Sequence, residues 1–378
     1  MPKTISVGVI GTGWSASTQA WCLRTLQFTS KGFAEKIHIK LDSVLSHSIA
    51  RGESFAKTYG FEHYTDSEEN FFRRNLDLVI VASHNYTHRH YTIRALERGS
   101  HVVIEKPLAT SYEEAQEIVR KAQASGRFGT VCFVARFVPA FIYARSLMSK
   151  GVLGSLTMFR AVSAHAKHAY EDTPFEWRMS KALAGGGVFT DLGIHLIDLA
   201  EYLTNMRIKR ILGKGYIIVS KRKDPFTGQM VEIDAEDMGI ALVEMENTSR
   251  WLAGSLEASK VCPGFEEQMR IEIYGNEGGL RASLNQPHEV YVFTRSSGNV
   301  EKRVIGFNDI YKDLLWPPSK SYEGWTYAYL VLLKGFIEFL ANVSDSYSPT
   351  LEEGLRAQKI LDAYYRSNLQ GGSWVEVD

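Results

Sequence analysis

Residues Ile5-Ser-Val-Gly-Val-Ile-Gly-Thr-Gly-Trp-Ser-Ala16, "ISVGVIGTGWSA", decide how this chain is read. Ile5–Ile10 is a short β-rich run, and a helix is expected from about Ser15 to Leu26. Between them lies G-x-G-x-x-A. Gly11 permits a tight turn, Gly13 lets backbone approach a pyrophosphate, and the small Ala16 allows close helix–strand packing. The first helical turn, with Trp14 and Ser15, points its free N–H groups at an anion. In this context the stretch reads as a dinucleotide-binding turn rather than a plain glycine-rich one.

Strand and helix continue to alternate outward from it. Ile39–Leu45 reads as a second strand, after a first crossover lengthened by an insertion around Phe28–Lys36. Ser48–Tyr59 has helical spacing and ends at Gly60, a C-cap residue. Leu76–Ala82 is a buried strand, Tyr91–Arg98 a helix stopped by Gly99, and His101–Ile104 another strand. The alternation predicts a doubly wound parallel sheet over about residues 1–130, with ligands at the carboxyl ends of its strands.

Beyond about Val131 the texture changes. Ser155–Ser163, Lys209–Ser220, Met238–Glu246, Arg250–Glu257, Met269–Tyr274 and Val290–Thr294 read as strands joined without helices between them, with a hairpin-like break at Gly275–Gly279. That pattern predicts an α+β second domain, 131–378, built on an open, mainly antiparallel or mixed sheet. Helices expected at Trp325–Asn342 and Leu351–Ser367 close the chain and pack back across the boundary.

Composition bounds the function. The chain has 378 residues, 44% hydrophobic and 23% charged, the balance of a folded two-domain protein. Lys+Arg and Asp+Glu are equal at 43 each, so no electrostatic footprint for nucleic acid or an anionic membrane is present. The three cysteines, Cys22, Cys132 and Cys262, form neither a disulfide framework nor a zinc-spaced cluster. No apolar run approaches the roughly 20 residues of a membrane span. Met1-Pro-Lys-Thr leads into a strand without a signal peptide's apolar region, so the expectation is a cytoplasmic enzyme or binding protein.

The strand ends carry the candidate chemistry. After the second strand come Ser46, His47, Ser48 and Arg51. A site for NAD wants an acid here for the ribose 2′-hydroxyl. Ser46 removes that repulsion and Ser48, His47 or Arg51 can hold a 2′-phosphate, so NADP is favoured over NAD. The alternative is a polar loop with a surface arginine. Ser83, Asn85 and His88 follow the next strand, where the ribose and nicotinamide would pass, although such residues also serve as helix caps. His88 and His90 lack a third metal-type partner nearby, and no metal is expected. "HVVIEKPLAT", 101–110, ends a buried run in Glu105-Lys106 with Pro107 stopping the ladder. It reads either as a solvated turn or as a catalytic lysine at a strand end, and Pro107 admits a cis bond.

In the second half, Gly185–Gly187 precede Asp191 and His195, four residues apart on one helical face. A carboxylate orienting an imidazole is the geometry of a general acid/base. A capping aspartate on an amphipathic helix with a structural histidine is the alternative. Arg136, His165 and Trp177 are candidates for substrate contact. For each, surface or core packing is the competing reading.

Taken together, G-x-G-x-x-A after the first strand, "EKP" at 105–107, "WR" at 177–178, "GGGVFTDLGIHLID" at 185–198 and "GLRAQKILDAYYRS" at 354–367 resemble the glucose–fructose oxidoreductase / inositol dehydrogenase (Gfo/Idh/MocA) family. The resemblance implies a nucleotide-binding domain, a second domain with a large open sheet, and reversible NAD(P)-dependent oxidation of a sugar or cyclitol hydroxyl. It also implies no metal and assembly as homodimers or homotetramers. Carried over, Lys106 lies beside the nicotinamide and the reacting hydroxyl, with Asp191 and His195 completing the site. Glu105 positions Lys106 or contacts the cofactor. Three positions depart from the pattern: His84 replaces a proline, Val134-Ala135 stand where an asparagine is common, and Ser46 replaces an acid. Two other activities stay open on this fold, a non-catalytic nucleotide- and sugar-binding regulator and a glycosidase that uses held NAD for a transient oxidation.

Overall fold

The computed structural model describes residues 2–29, 32–248, 250–264, 267–306 and 324–377; Ser30 and Lys31 of the expected insertion lie outside them. The chain divides into two compact units, Met1–Phe137 with Tyr311–Leu355, and Val138–Ile310 with Arg356–Asp378.

The first unit is built on β1 (Lys3–Ile10), β2 (Ile37–Leu45), β3 (His63–Thr65), β4 (Leu78–Val81), β5 (His101–Ile104) and β6 (Gly129–Val131). Among the described residues they form one sheet in the order β3-β2-β1-β4-β5-β6, all pairs parallel. The near-continuous apolar runs follow from burial on both faces. Val7, Val9, Leu78–Val81 and Val102–Ile104 are fully buried, each contributing roughly 1.5–3 kcal/mol against exposure. The helix after β2 begins and ends where the sequence marks it. Ser48 Oγ accepts from Arg51 N at 3.4 Å to cap Ile49–Tyr59, and Gly60 closes it at φ 82°. The first helix runs Trp14–Thr29, and the insertion folds into a short helix, Phe33–Lys36, anchored by a buried Phe33. The helix Gly324–Leu340 belongs to this unit and packs against Trp14–Thr29.

The second unit holds β7 (Leu156–Ala164), β8 (Arg207–Tyr216), β9 (Lys221–Lys223), β10 (Met230–Glu232), β11 (Met238–Asn247), β12 (Arg250–Ser259), β13 (Glu267–Gly275), β14 (Gly278–Ser283), β15 (Gln286–Thr294), β16 (Val300–Val304) and β17 (Val375–Glu376). β9 and β10 form a separate hairpin. The others make a sheet ordered β16-β15-β14-β13-β7-β12-β11-β8-β17 among the described residues. Among the described residues β7 and β12 run parallel and every other neighbouring pair antiparallel, so the sheet is mixed and mostly antiparallel as expected. Alternation explains its two faces: Phe159, Ala161, Ala241, Val243, Leu252 and Leu256 point into the core. Helices Pro139–Ser149 and Ile194–Thr204 pack against this sheet. The helical run Lys181–Thr204 is long and apolar enough, at 24 residues, to cross a membrane by length and composition; 72% of its apolar window is buried, as in the core helix of a globular domain.

Candidate active site

In the first unit the candidate residues converge because four strands end along one edge of the sheet. The strand order reverses between β1 and β4, where a doubly wound sheet opens a crevice. Gly11 sits there at φ +105°, and a Cβ on it would lie 2.4 Å from Ala82 O, so only glycine fits. Its N–H donates to Leu45 O at 2.9 Å, tying the ends of β1 and β2 together. Gly13 is exposed, Ala16 is fully buried, and Trp14, 64% exposed, meets the Tyr329 ring edge-on at 6.3 Å. A tight turn, an open Gly13 and the start of a 16-residue helix fit a pyrophosphate.

At the end of β2 Ser46 is buried, with its hydroxyl 3.4 Å from Thr12 Oγ1. It also accepts from Ser48 N at 3.4 Å. His47 and Arg51 are exposed beside it, at the N-terminus of the helix Ile49–Tyr59. This set of hydroxyl, imidazole, guanidinium and helix start suits an anion. After β4, Ser83 Oγ and Thr87 Oγ1 are 2.6 Å apart, and Asn85 is buried at the start of a 3-10 turn.

Two of the expected site residues in this unit are buried and bonded within the protein. His88, expected to touch the cofactor, is wholly buried. Its Nδ1 lies 2.8 Å from Pro107 O and its Nε2 3.2 Å from Ser83 O. Burial, outweighing both carbonyls, pushes the imidazole down to about 4. A neutral ring has one N–H, which goes to the nearer oxygen, Pro107 O. His88 therefore braces the "EKP" loop against the loop after β4. Arg136, expected at the substrate, is 4% exposed; its Nη1 donates to Ser348 Oγ at 2.8 Å and to the Glu353 carboxylate. A guanidinium so far from water needs such acceptors, and this one is committed to the protein.

"EKP" lies at the end of β5, with Lys106 half-buried and the Lys106–Pro107 peptide cis. Glu105 is buried beneath it, accepting from Gln19 Nε2 at 2.8 Å and Tyr329 OH at 2.6 Å. Burial pushes its carboxyl up, against the hydrogen bond from Tyr329 and the charge of Lys106.

In the second unit, Asp191 lies in a π-helical turn, Phe189–Gly193, which runs into the helix Ile194–Thr204 carrying a buried His195. The turn is held by Glu236, whose carboxylate accepts from Gly187 N at 3.1 Å, Phe189 N at 3.3 Å and Tyr365 OH at 2.7 Å. A Cβ on Gly187 would fall 2.3 Å from Glu236 O, which is why the glycines are needed before Asp191. Asp191 Oδ2 is 2.9 Å from Lys260 Nζ, and Oδ1 is 3.7 Å from Arg178 Nε. The Arg178 guanidinium in turn covers one face of Trp177, 4.3 Å from the ring centroid. His165 follows β7; burial first, and the Lys260 cation second, push its imidazole down to about 4 while Asp191 opposes them. His168 is bracketed by Asp237 Oδ1 at 3.2 Å and Glu176 Oε1 at 3.1 Å.

Sequence reasoning missed Gln19, Tyr329, Glu236 and Lys260. Gln19 and Tyr329 lie inside helices, Glu236 just before β11 and Lys260 just after β12. No local spacing marks any of them.

Comparison with known proteins places these features in context. A family model described as "Oxidoreductase family, NAD-binding Rossmann fold" matches residues 5–133, and one described as "GFO/IDH/MocA C-terminal domain" matches 141–281. The chain is 26% identical over 341 residues to levoglucosan dehydrogenase of Pseudarthrobacter phenanthrenivorans, covering 85% of each. It is 29% identical over 231 residues to scyllo-inositol 2-dehydrogenase (NAD(+)) of Bacillus subtilis, covering 61% of this chain and 62% of that one. Its fold matches a levoglucosan dehydrogenase structure in complex with NADH at a TM-score of 0.90 with 22% identity, covering 100% of both chains.

Proposed function

The chain belongs to the Gfo/Idh/MocA family of NAD-binding oxidoreductases, and from that premise we propose that it is an NADP-dependent dehydrogenase acting on a CH–OH group of a sugar or cyclitol. The observation that carries the reading is the glycine turn at the β1–β4 switch point, with the anion-suited set after β2 and Lys106 after β5 along the same sheet edge. The named activities of the relatives, on an anhydrosugar and a cyclitol, support the substrate class.

In this proposal Gly11, Gly13, Trp14, Ser15 and Ala16 hold the pyrophosphate. Ser46, His47 and Arg51 take the ribose 2′-phosphate, and Ser83 and Asn85 shape the loop beyond. When bound, the nicotinamide supplies a two-electron hydride acceptor or donor. His195 accepts the hydroxyl proton, and the Lys106 ammonium offsets the charge developing on oxygen. Asp191 holds a fixed negative charge in the second unit's site, and Glu105 supports Lys106 from below. His165 and the open face of Trp177 meet the sugar ring. The outward sheet face, with exposed Ile240, Leu242, Trp251, Tyr274 and Phe293, is proposed as the surface through which copies form a homodimer or homotetramer.

A panel of sugars, anhydrosugars, cyclitols and keto-sugars, assayed by nicotinamide absorbance with both cofactors, tests this reading. Turnover of a panel member with NADP is the expected result. Nucleotide binding without turnover of any member would instead favour a regulator. Nucleotide retained through purification with no net turnover of added NADP would favour a glycosidase.

A further inference from the structure

Lys260 is a buried cation to which the proposed reaction assigns no task. Its side chain is 2% exposed, and its Nζ lies 2.9 Å from Asp191 Oδ2. The backbone on either side is fixed: Lys260 N donates to Asp237 O at 2.9 Å, and His168 N donates to Lys260 O at 2.8 Å. The ammonium is thus delivered from the end of β12 with little freedom to move. Arg178, 36% exposed, stands 3.7 Å from the other carboxylate oxygen. Asp191 therefore lies between two cations of unequal burial, each nearer a different oxygen.

From this arrangement we propose that Lys260 is a positioning residue for the proposed active site, locking Asp191 as a permanent, oriented anion. The inference rests on the reading of Asp191 as a site residue and deepens it. A buried ammonium is tolerated only beside its counter-charge, so protonating Asp191 would strand Lys260. Asp191 is thereby unsuited to take the substrate proton, which falls to His195. Lys260 is too buried to touch substrate and acts through Asp191. The same cation reaches His165, whose charged neighbours are Lys260, Asp191, His168 and Lys167. Burial first and Lys260 second oppose protonation of His165, leaving it a neutral hydrogen-bonding group beside the anion.

Lys260→Met, Lys260→Arg and Asp191→Asn, each checked for folding by thermal unfolding and by NADPH titration, test this. With the best substrate of the panel, Lys260→Met is expected to lower kcat about 10–100-fold with the KM for cofactor unchanged. Lys260→Arg is expected to restore most of it, since it keeps the charge. A space-filling role would make Arg as harmful as Met. Independently of any substrate, NMR of ¹³C-histidine-labelled protein, assigned with His165→Gln, should show His165 titrating at higher pH in Lys260→Met than in wild type. Wild-type kcat together with an unchanged His165 titration in Lys260→Met would overturn the proposal. Full activity in Asp191→Asn, with the His165 titration still moved by Lys260→Met, would instead remove Asp191 from the reaction and leave the ion pair purely structural.

Discussion

Tyr329 donates its hydroxyl proton to Glu105 Oε1 across 2.6 Å, although 224 residues separate the two in sequence. The bond ties the late helix Gly324–Leu340 to the base of the "EKP" loop. Removing the donor leaves a buried acceptor short of one partner, a loss of roughly 1–3 kcal/mol.

That loss should depend on pH. Burial raises the Glu105 carboxyl above its ordinary 4.5, so its stabilising contribution is complete below 4.5 and declines as pH rises through the raised value. An ionised Glu105 needs the Tyr329 donor more than a protonated one. Tyr329→Phe is therefore expected to cost more at pH 8 than at pH 4, read by urea unfolding at both. An equal cost at both pH values would show that Glu105 keeps one protonation state across the range.

Lys106→Met is expected to lower kcat by about 10²–10⁴-fold while NADPH binding stays within about threefold of wild type, because Lys106 is proposed to act on the reacting oxygen. Steady-state rates with a panel substrate and a fluorescence titration provide the two readings. Unchanged turnover would remove Lys106 from the reaction.

Ser46 tests the cofactor preference. Ser46→Asp places a carboxylate beside the proposed 2′-phosphate site and should weaken NADPH binding by about tenfold or more, with NADH affected little. A wild-type protein that already prefers NADH in the same titration would refute the NADP reading.

His88 tests the brace between the loops after β4 and β5. Its folded-state imidazole is depressed from 6.5 to about 4. The sign is that of a group buried neutral: its contribution is present above 6.5 and is lost as pH falls towards 4. In total this is on the order of 3 kcal/mol. His101 and His165 share the direction, so the measurement is a difference. The thermal midpoint of His88→Gln should fall less than that of wild type between pH 7 and pH 4.5. Parallel decline of the two proteins would mean that His88 is not buried neutral.

The outward sheet face tests assembly. Leu242→Lys with Trp251→Lys should lower the mass measured by light scattering in solution from an oligomer to a monomer, without loss of secondary structure. A wild-type monomer would dismiss this surface as an interface.

Some of this was legible in order along the chain. Periodicity and punctuation placed four of the six parallel strands, β1, β2, β4 and β5, and several helix ends, as the Ser48 cap and Gly60 stop illustrate, because capping and φ preference are local properties. The hairpin at Gly275–Gly279 is likewise local, closing through a Gly275–Gly278 pair. The burial and partners of His88 and Arg136 were not legible, because nothing in sequence reports burial or which distant carbonyl or carboxylate will face a side chain.

By itself the sequence determined a parallel nucleotide-binding sheet, a mostly antiparallel second sheet, and the strand ends and helix turn where charged residues gather. Each follows from chain-local period, turn chemistry and glycine sterics. Only the tertiary structure decided that Tyr329 supports Glu105, that Glu236 fastens the turn bearing Asp191, and that Lys260 is its ion-pair partner. Those pairings join residues brought together by topology, and the requirement that every buried polar group find a partner selects them only after the strands have docked.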